Sequence, residues 1–348
     1  MRAVRFTEPN RAEIVERPRP HVVEPDDAVI MVTTAGLTAW DIARCEDPFG
    51  PSAFIFPQTF SKGKARPLTR TKSGDATIPG GEFAGNVVEV GSAVRTLRIN
   101  DLVFAISAWR EADGRLRMFG ADGLDGGHAD YVLVPHADRL LVKTTAGAEE
   151  RSLLAGGTFA LGACAAEIAR SRHFGGSLIV AGCDAMGMSA LAALNKTGAF
   201  VHTTALDSSP ARLTIAGRYG AAPVNVREPG AAKLIQPADV VIAGEISDST
   251  SAIWIARAVN AGGTIVFTEP DGIEKWRELN MPVQRDVRLI VADWASQEQA
   301  AKLATLIHIR KLDLMPVVSH VVPLEEAREA YAQAVSRGPA VMKVLLKP

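Results

Sequence analysis

Residues 178–199 read LIVAGCDAMGMSALAALNKTGA. A short apolar run, 178–181, meets a turn and then an Ala/Leu-rich segment with helical character. Strand, glycine turn and helix in that order open a dinucleotide-binding βαβ unit, whose usual fingerprint is G-x-G-x-x-G. Gly182 and Gly187 stand at the first and third glycine positions, and Asp184 replaces the second. That middle glycine normally lets a diphosphate approach the backbone at the positive end of a helix. A carboxylate there adds bulk and negative charge where the diphosphate would sit, so the stretch indicates a fold and weakens the activity usually attached to it.

The 348 residues suffice for two domains, and 47% hydrophobic content can fill two cores. A net charge of −1 gives no reason to expect nucleic acid or an anionic membrane as partner. No apolar run approaches the roughly 20 residues of a membrane span. The N-terminal MRAVRFTEPNRAEIVERP reads as strand and turn, without an apolar signal core. Cys45, Cys164 and Cys183 are scattered and form no metal-like pair, so a reducing, cytoplasmic setting is expected. Cys183 lies inside the glycine turn. It is either a small turn residue or a thiol whose pKa the helix N-terminus lowers.

The first 150 or so residues carry short β-type runs punctuated by Gly and Pro: 28–33 (AVIMVT), 86–90 (NVVEV), 101–105 (DLVFA) and 130–134 (DYVLV). These predict a mostly β domain. From about residue 161, strands (178–181, 200–206, 239–243, 263–268) alternate with helices (187–197, 210–219, 249–261), the pattern of a parallel sheet covered on both faces. The tail adds a helix near 295–311, a strand near 316–322, a helix near 323–336 and a strand at 341–346. The segment 47–78 is long, irregular and rich in Pro, Ser and Thr. It carries Phe49, Phe54, Phe56 and Phe60, then Lys62, Lys64, Arg66, Arg70 and Lys72. It is either a functional lid, its basic half drawing an anionic substrate, or a solvated excursion.

Five segments in order resemble the medium-chain dehydrogenase/reductase superfamily over almost the whole chain. MRAVRF…IVERPRP is similar to its first hairpin. TTAGLTAWD (33–41) resembles A-x-G-I-C-G-S-D of zinc alcohol dehydrogenases and A-x-G-V-N-x-x-D of the zinc-free quinone-oxidoreductase branch. IPGGEFAGNVVEVGSAV (78–94) resembles P-G-H-E-x-x-G-x-V-x-x-V-G, and GLDGGHADYVLVP (123–135) resembles G-G-x-A-E-Y. VVPLEEAREAYAQAVSRGPAVMKVLL (321–346) resembles P-L-E-x-x-x-E-A-x-x…G-K-x-V. The resemblance implies an α/β protein: a GroES-like, mostly β substrate domain from 1–161 and 293–348, and a Rossmann domain, a doubly wound parallel sheet, from 162–292. It also implies a homodimer paired through an edge strand of the Rossmann sheet, here expected at 263–268.

The departures from the family pattern concern metal. Its zinc-ligand cysteine position is Thr38, its histidine position is Gly81, and its third ligand falls at Ala155 or Gly156. The stretch 107–125, where many relatives carry four structural-zinc cysteines, has none. Zinc needs three or four converging N, S or O donors, so no metal site is expected. His128 and His136 do not restore a donor set and are expected to be surface or packing residues.

For a cofactor, Asp207 stands where an acid at the end of the second strand would bind the adenosine ribose. It favours NAD over NADP slightly, a preference weakened by Ser208, Ser209 and Arg212. Alternatively, Asp207 caps the helix beginning near Pro210. The expected cofactor contacts are thus Gly182, Asp184, Gly187 and Asp207, with NAD(P)H binding weakened or lost if Asp184 blocks the diphosphate. Without zinc, the candidate catalytic groups are Thr38, Asp41 and Glu82. The two carboxylates are either general acid or base groups or structural hydrogen-bond acceptors, and Trp40 is a pocket wall. Zinc-free relatives often reduce enones or quinones. One expectation is therefore a zinc-independent NAD(P)H-dependent oxidoreductase acting on a small conjugated carbonyl or related unsaturated metabolite. The alternative is a repurposed member with a non-redox role: cyclisation, elimination, isomerisation or binding.

Overall fold

The computed structural model describes residues 1–48, 77–121, 123–195, 197–244, 249–268, 272–281, 285–336 and 341–348. The lid expectation for 47–78 therefore lies, from 49 to 76, outside the described residues. Contacts divide the chain into two compact units. One comprises Met1–Thr158, Ala295–Lys311 and Val318–Pro348, and the other Phe159–Trp294 and Leu312–Val317. Leu312–Val317 belongs with the second unit, which the sequence reading had given to the C-terminal return.

In the first unit, β1 (Arg2–Glu8) and β2 (Arg11–Glu16) form an antiparallel hairpin. The larger sheet contains β3 (Ala28–Gly36), β4 (Glu82–Val90) and β5 (Leu102–Ala105). A small hairpin follows, β6 (Ala108–Arg110) with β7 (Leu116–Met118), and then β8 (Tyr131–Val134) and β9 (Leu141–Lys143). β3 is central: it pairs with β4 and β8, so its apolar run is buried almost throughout instead of alternating. Ile30, Phe83, Val87, Val103 and Val132 share the core beneath it. In the 107–125 segment rings pack together: Phe119 lies edge-on to Phe83 at 5.1 Å and tilted against Trp109 at 5.2 Å.

The second unit is built on six parallel strands: β10 (Ser177–Ala181), β11 (His202–Asp207), β12 (Ala222–Asn225), β13 (Ala238–Ala243), β14 (Val259–Phe267) and β15 (Arg288–Val291). Their spatial order is β12-β11-β10-β13-β14-β15, the doubly wound order. All four strands expected from the sequence are present. The edge strands β12 and β15 escaped it because four residues are too few to show a period. The helix Thr158–Arg172 also escaped it; its apolar residues are spread round the axis and leave almost no amphipathic signature. One expectation is corrected. All but the last residue of 263–268 lies in β14 and is no edge, because β14 is hydrogen-bonded to β13 on one side and β15 on the other. The free edge on that side is β15.

The chain ends with β16 (Val318–Pro323), the helix Ala327–Val335 and β17 (Lys343–Lys347), which pairs antiparallel with β3 in the first unit. No single helix among the described residues is long and apolar enough to cross a membrane.

Candidate functional site

In the first unit, the turn between β3 and the helix Ala39–Glu46 carries Thr38 as that helix's N-cap. Its hydroxyl donates to Asp41 Oδ2 (2.7 Å) and accepts from the Asp41 amide (3.2 Å). The Thr38 amide donates back to Asp41 Oδ2 (2.9 Å), which completes a reciprocal capping box. The other carboxylate oxygen, Asp41 Oδ1, accepts from the Gly80 amide (2.8 Å). Asp41 thus starts one helix and ties it to the segment entering β4, the structural hydrogen-bonding arrangement.

Glu82, the first residue of β4, is fully buried. Its Oε1 accepts from the Thr158 amide (2.7 Å) and the Thr158 hydroxyl. Its Oε2 lies 2.5 Å from Lys343 Nζ, and that ammonium also donates to the Leu37 carbonyl (2.8 Å). Neither charged side chain reaches solvent. The close packing explains Gly157: a Cβ there would sit 2.4 Å from Glu82 Oε1. Lys343 and Thr158 were missed by sequence reasoning. The signal for Lys343 was a lysine inside the apolar strand run VMKVLL, since a lysine is almost never fully buried without a partner.

The positions matching the family's zinc ligands do not fit the metal. Thr38 offers one hydroxyl, already engaged with Asp41. Gly81 has no side chain, and its nearest neighbour to an added Cβ is the Phe119 carbonyl at 3.4 Å. Ala155 is buried, and at Gly156 a Cβ would lie 2.0 Å from the Ala105 carbonyl oxygen. Among the described residues, no three His, Cys, Asp or Glu side chains gather as a metal-binding group.

In the second unit, Gly182 follows β10 at the switch point between β10 and β13, where ligands bind in sheets of this order. Its φ of 91° is a left-handed conformation that favours glycine. Gly187 is required by proximity, because a Cβ there would lie 2.1 Å from the Gly182 carbonyl oxygen. Gly187→Ala is accordingly expected to destabilise the protein by about 1–3 kcal/mol through overpacking. A melting temperature equal to the parent's would contradict that.

Asp184 is the N-cap of the helix Ala185–Leu194, and its Oδ1 accepts from the Gly187 amide (2.8 Å). The carboxylate therefore stands at the helix end where a diphosphate would be received, already engaging one of the amides that face it. Asp207, at the end of β11, receives the Cys183 amide on Oδ2 (2.7 Å) and the Ser209 amide on Oδ1 (2.7 Å). Arg212 Nη1 approaches Oδ2 at 3.8 Å. Asp207 is not the cap of the helix Pro210–Arg218, as the alternative reading had it. Ser209 is the N-cap, accepting from the Arg212 amide. Asp207 instead joins the glycine turn to the loop after β11 through both carboxylate oxygens. Burial, then the charges of Asp207 and Asp184, push the Cys183 thiol well above its ordinary pKa. Cys183 is thus a turn residue and no activated nucleophile.

Comparison with known proteins agrees with the fold. Residues 24–145 match the family model described as "Alcohol dehydrogenase GroES-like domain". A protein of Mycobacterium tuberculosis named "Probable zinc-binding alcohol dehydrogenase" is 27% identical, over 100% of this chain and 89% of its own length. The zinc-type alcohol dehydrogenase B of Aspergillus flavus is 31% identical over 66% of this chain and 52% of its own length. The solved alcohol dehydrogenase from Thermus sp. ATN1 shares the fold with a TM-score of 0.79 at 21% identity, covering 100% of this chain and 99% of that one. The chain is thus similar, over its GroES-like part and in its whole fold, to alcohol dehydrogenases of the medium-chain type.

Proposed function

We propose that this chain is a zinc-independent, NAD(P)H-dependent oxidoreductase that reduces a small conjugated carbonyl or related unsaturated metabolite. The observation that carries the reading is the state of the metal-ligand positions: Thr38, Gly81, Ala155 and Gly156 supply one hydroxyl between them, and that hydroxyl is engaged with Asp41. With Asp41 and Glu82 also held by donors, nothing at these positions strongly polarises an isolated carbonyl. An electron-poor alkene or quinone takes hydride without that assistance. The nicotinamide, when bound, supplies the hydride. Asp207 would hold the adenosine ribose, with a slight preference for NAD because a carboxylate repels a 2′-phosphate. Arg212, beside that carboxylate, tempers the preference. We place the enzyme in the cytoplasm as a homodimer joined along the outer edge of β15.

The test is consumption of NADH and NADPH with menadione and a panel of enones, with and without a chelator. Turnover that survives chelation supports the reading. Oxidation of saturated alcohols that requires added zinc overturns it. The purified protein is further expected to hold less than stoichiometric zinc, and chelation to leave its melting temperature unchanged, since rings rather than cysteines pack around β6 and β7. One zinc per chain by elemental analysis would refute this.

A second reading is favoured by one observation, the engagement of the Gly187 amide by Asp184. There the fold is kept and the cofactor lost, and the chain carries out a non-redox step or binding. Absence of any thermal shift with either cofactor, alongside retained turnover of a substrate, would select it.

A further inference from the structure

Successive backbone polar groups from Gly36 to Thr38 are all held by partners. The Gly36 carbonyl meets His128 Nε2 (3.2 Å), the Leu37 amide donates to the Val344 carbonyl (3.0 Å), and the Leu37 carbonyl accepts from Lys343 Nζ (2.8 Å). The Thr38 amide donates to Asp41. His128 is fully buried. A carbonyl can only accept, so Nε2 must carry the ring proton. Nδ1 is then the acceptor, and it receives the Tyr331 hydroxyl at 2.8 Å. Burial holds the His128 pKa below the usual histidine value, which keeps the ring neutral and this tautomer unique. The same ring abuts Gly80, whose φ is 107° and whose added Cβ would lie 2.6 Å from His128 Cδ2. One imidazole therefore touches both segments that carry candidate catalytic residues, 36–38 and 80–82.

We propose that His128, its tautomer set by the Gly36 carbonyl, is a positioning residue that holds Thr38 and Glu82 in register by anchoring that carbonyl and the Gly80 turn. The turnover arm of its test rests on the redox reading given under Proposed function. It is tested with three variants. His128→Phe keeps a ring but removes the donor, His128→Gln restores a donor, and Tyr331→Phe deletes only the hydroxyl while keeping the ring against Phe6.

Nitrogen NMR of histidine-labelled protein should show the wild-type ring protonated on Nε2 alone. In His128→Phe, hydrogen exchange in 36–42 and 80–82 should rise about tenfold with β5 and β9 unchanged, as loss of one buried hydrogen bond predicts. Menadione turnover should fall about tenfold in kcat with little change in KM, and His128→Gln should recover both. Should His128→Phe fail to fold, Tyr331→Phe decides: it leaves Nδ1 without its donor and loosens the ring, so raised exchange at 36–42 supports the proposal. A ring protonated on Nδ1 in wild type, exchange unaltered in both His128→Phe and Tyr331→Phe, or no recovery in His128→Gln overturns it. If wild type does not turn over menadione, the redox reading of the site fails, while tautomer and exchange still decide whether His128 anchors the two segments.

Discussion

Asp184→Gly is expected to tighten NADH and NADPH binding by about tenfold or more. Two unit charges about 4 Å apart repel by roughly 1 kcal/mol in water and about 4 kcal/mol at an effective dielectric of 20, and 1.4 kcal/mol is one decade in affinity. The carboxylate stands at the N-cap of the helix Ala185–Leu194 with Oδ1 on the Gly187 amide. Removing it releases that amide and takes negative charge from the place a diphosphate would occupy. The fold should tolerate the change, because glycine is itself an acceptable N-cap and costs only a few tenths of a kcal/mol relative to aspartate. The unliganded variant should therefore melt near the parent, while its stabilisation by a fixed NADH concentration increases. Titration by nicotinamide fluorescence measures the affinity directly. Tight binding by the parent, unchanged in the variant, would show that Asp184 leaves the cofactor undisturbed.

Lys343→Met is expected to be the most destabilising single change in the first unit. It leaves the Glu82 carboxylate fully buried with no cation at Oε2, where Lys343 Nζ stands at 2.5 Å. It also withdraws the donor to the Leu37 carbonyl. Breaking one side of a buried ion pair costs about 3–5 kcal/mol, chiefly because the remaining charge is uncompensated. For a protein of this size that corresponds to a fall in melting temperature of roughly 5 °C. The double variant Glu82→Leu/Lys343→Met should recover much of the loss, since apolar replacement of a whole buried pair is often neutral. A denaturant double-mutant cycle separates the pair's coupling from loss of the Thr158 contacts to Oε1. Additive single changes would mean that the pair contributes nothing as a pair.

The sequence by itself determined the architecture, because burial is written locally. Four apolar runs alternating with helices predicted the parallel sheet, and β10, β11, β13 and β14 lie on them. The spacing of Gly182 and Gly187 located the turn, since only glycine fits where a Cβ would meet backbone at 2.1 Å. The missing zinc donors were legible at single positions, because a Gly or Ala cannot coordinate metal whatever surrounds it.

What each remaining polar group does was decided only by the tertiary structure. Asp207 was a reasonable helix cap until the fold placed the Cys183 amide against it and gave the capping to Ser209. Glu82 meets Lys343, and His128 meets Tyr331, across long intervals of chain. No periodicity encodes such pairs: a hydrophobic pattern specifies which face of an element turns inward, while the partner of a buried charge depends on which elements the topology brings to that face.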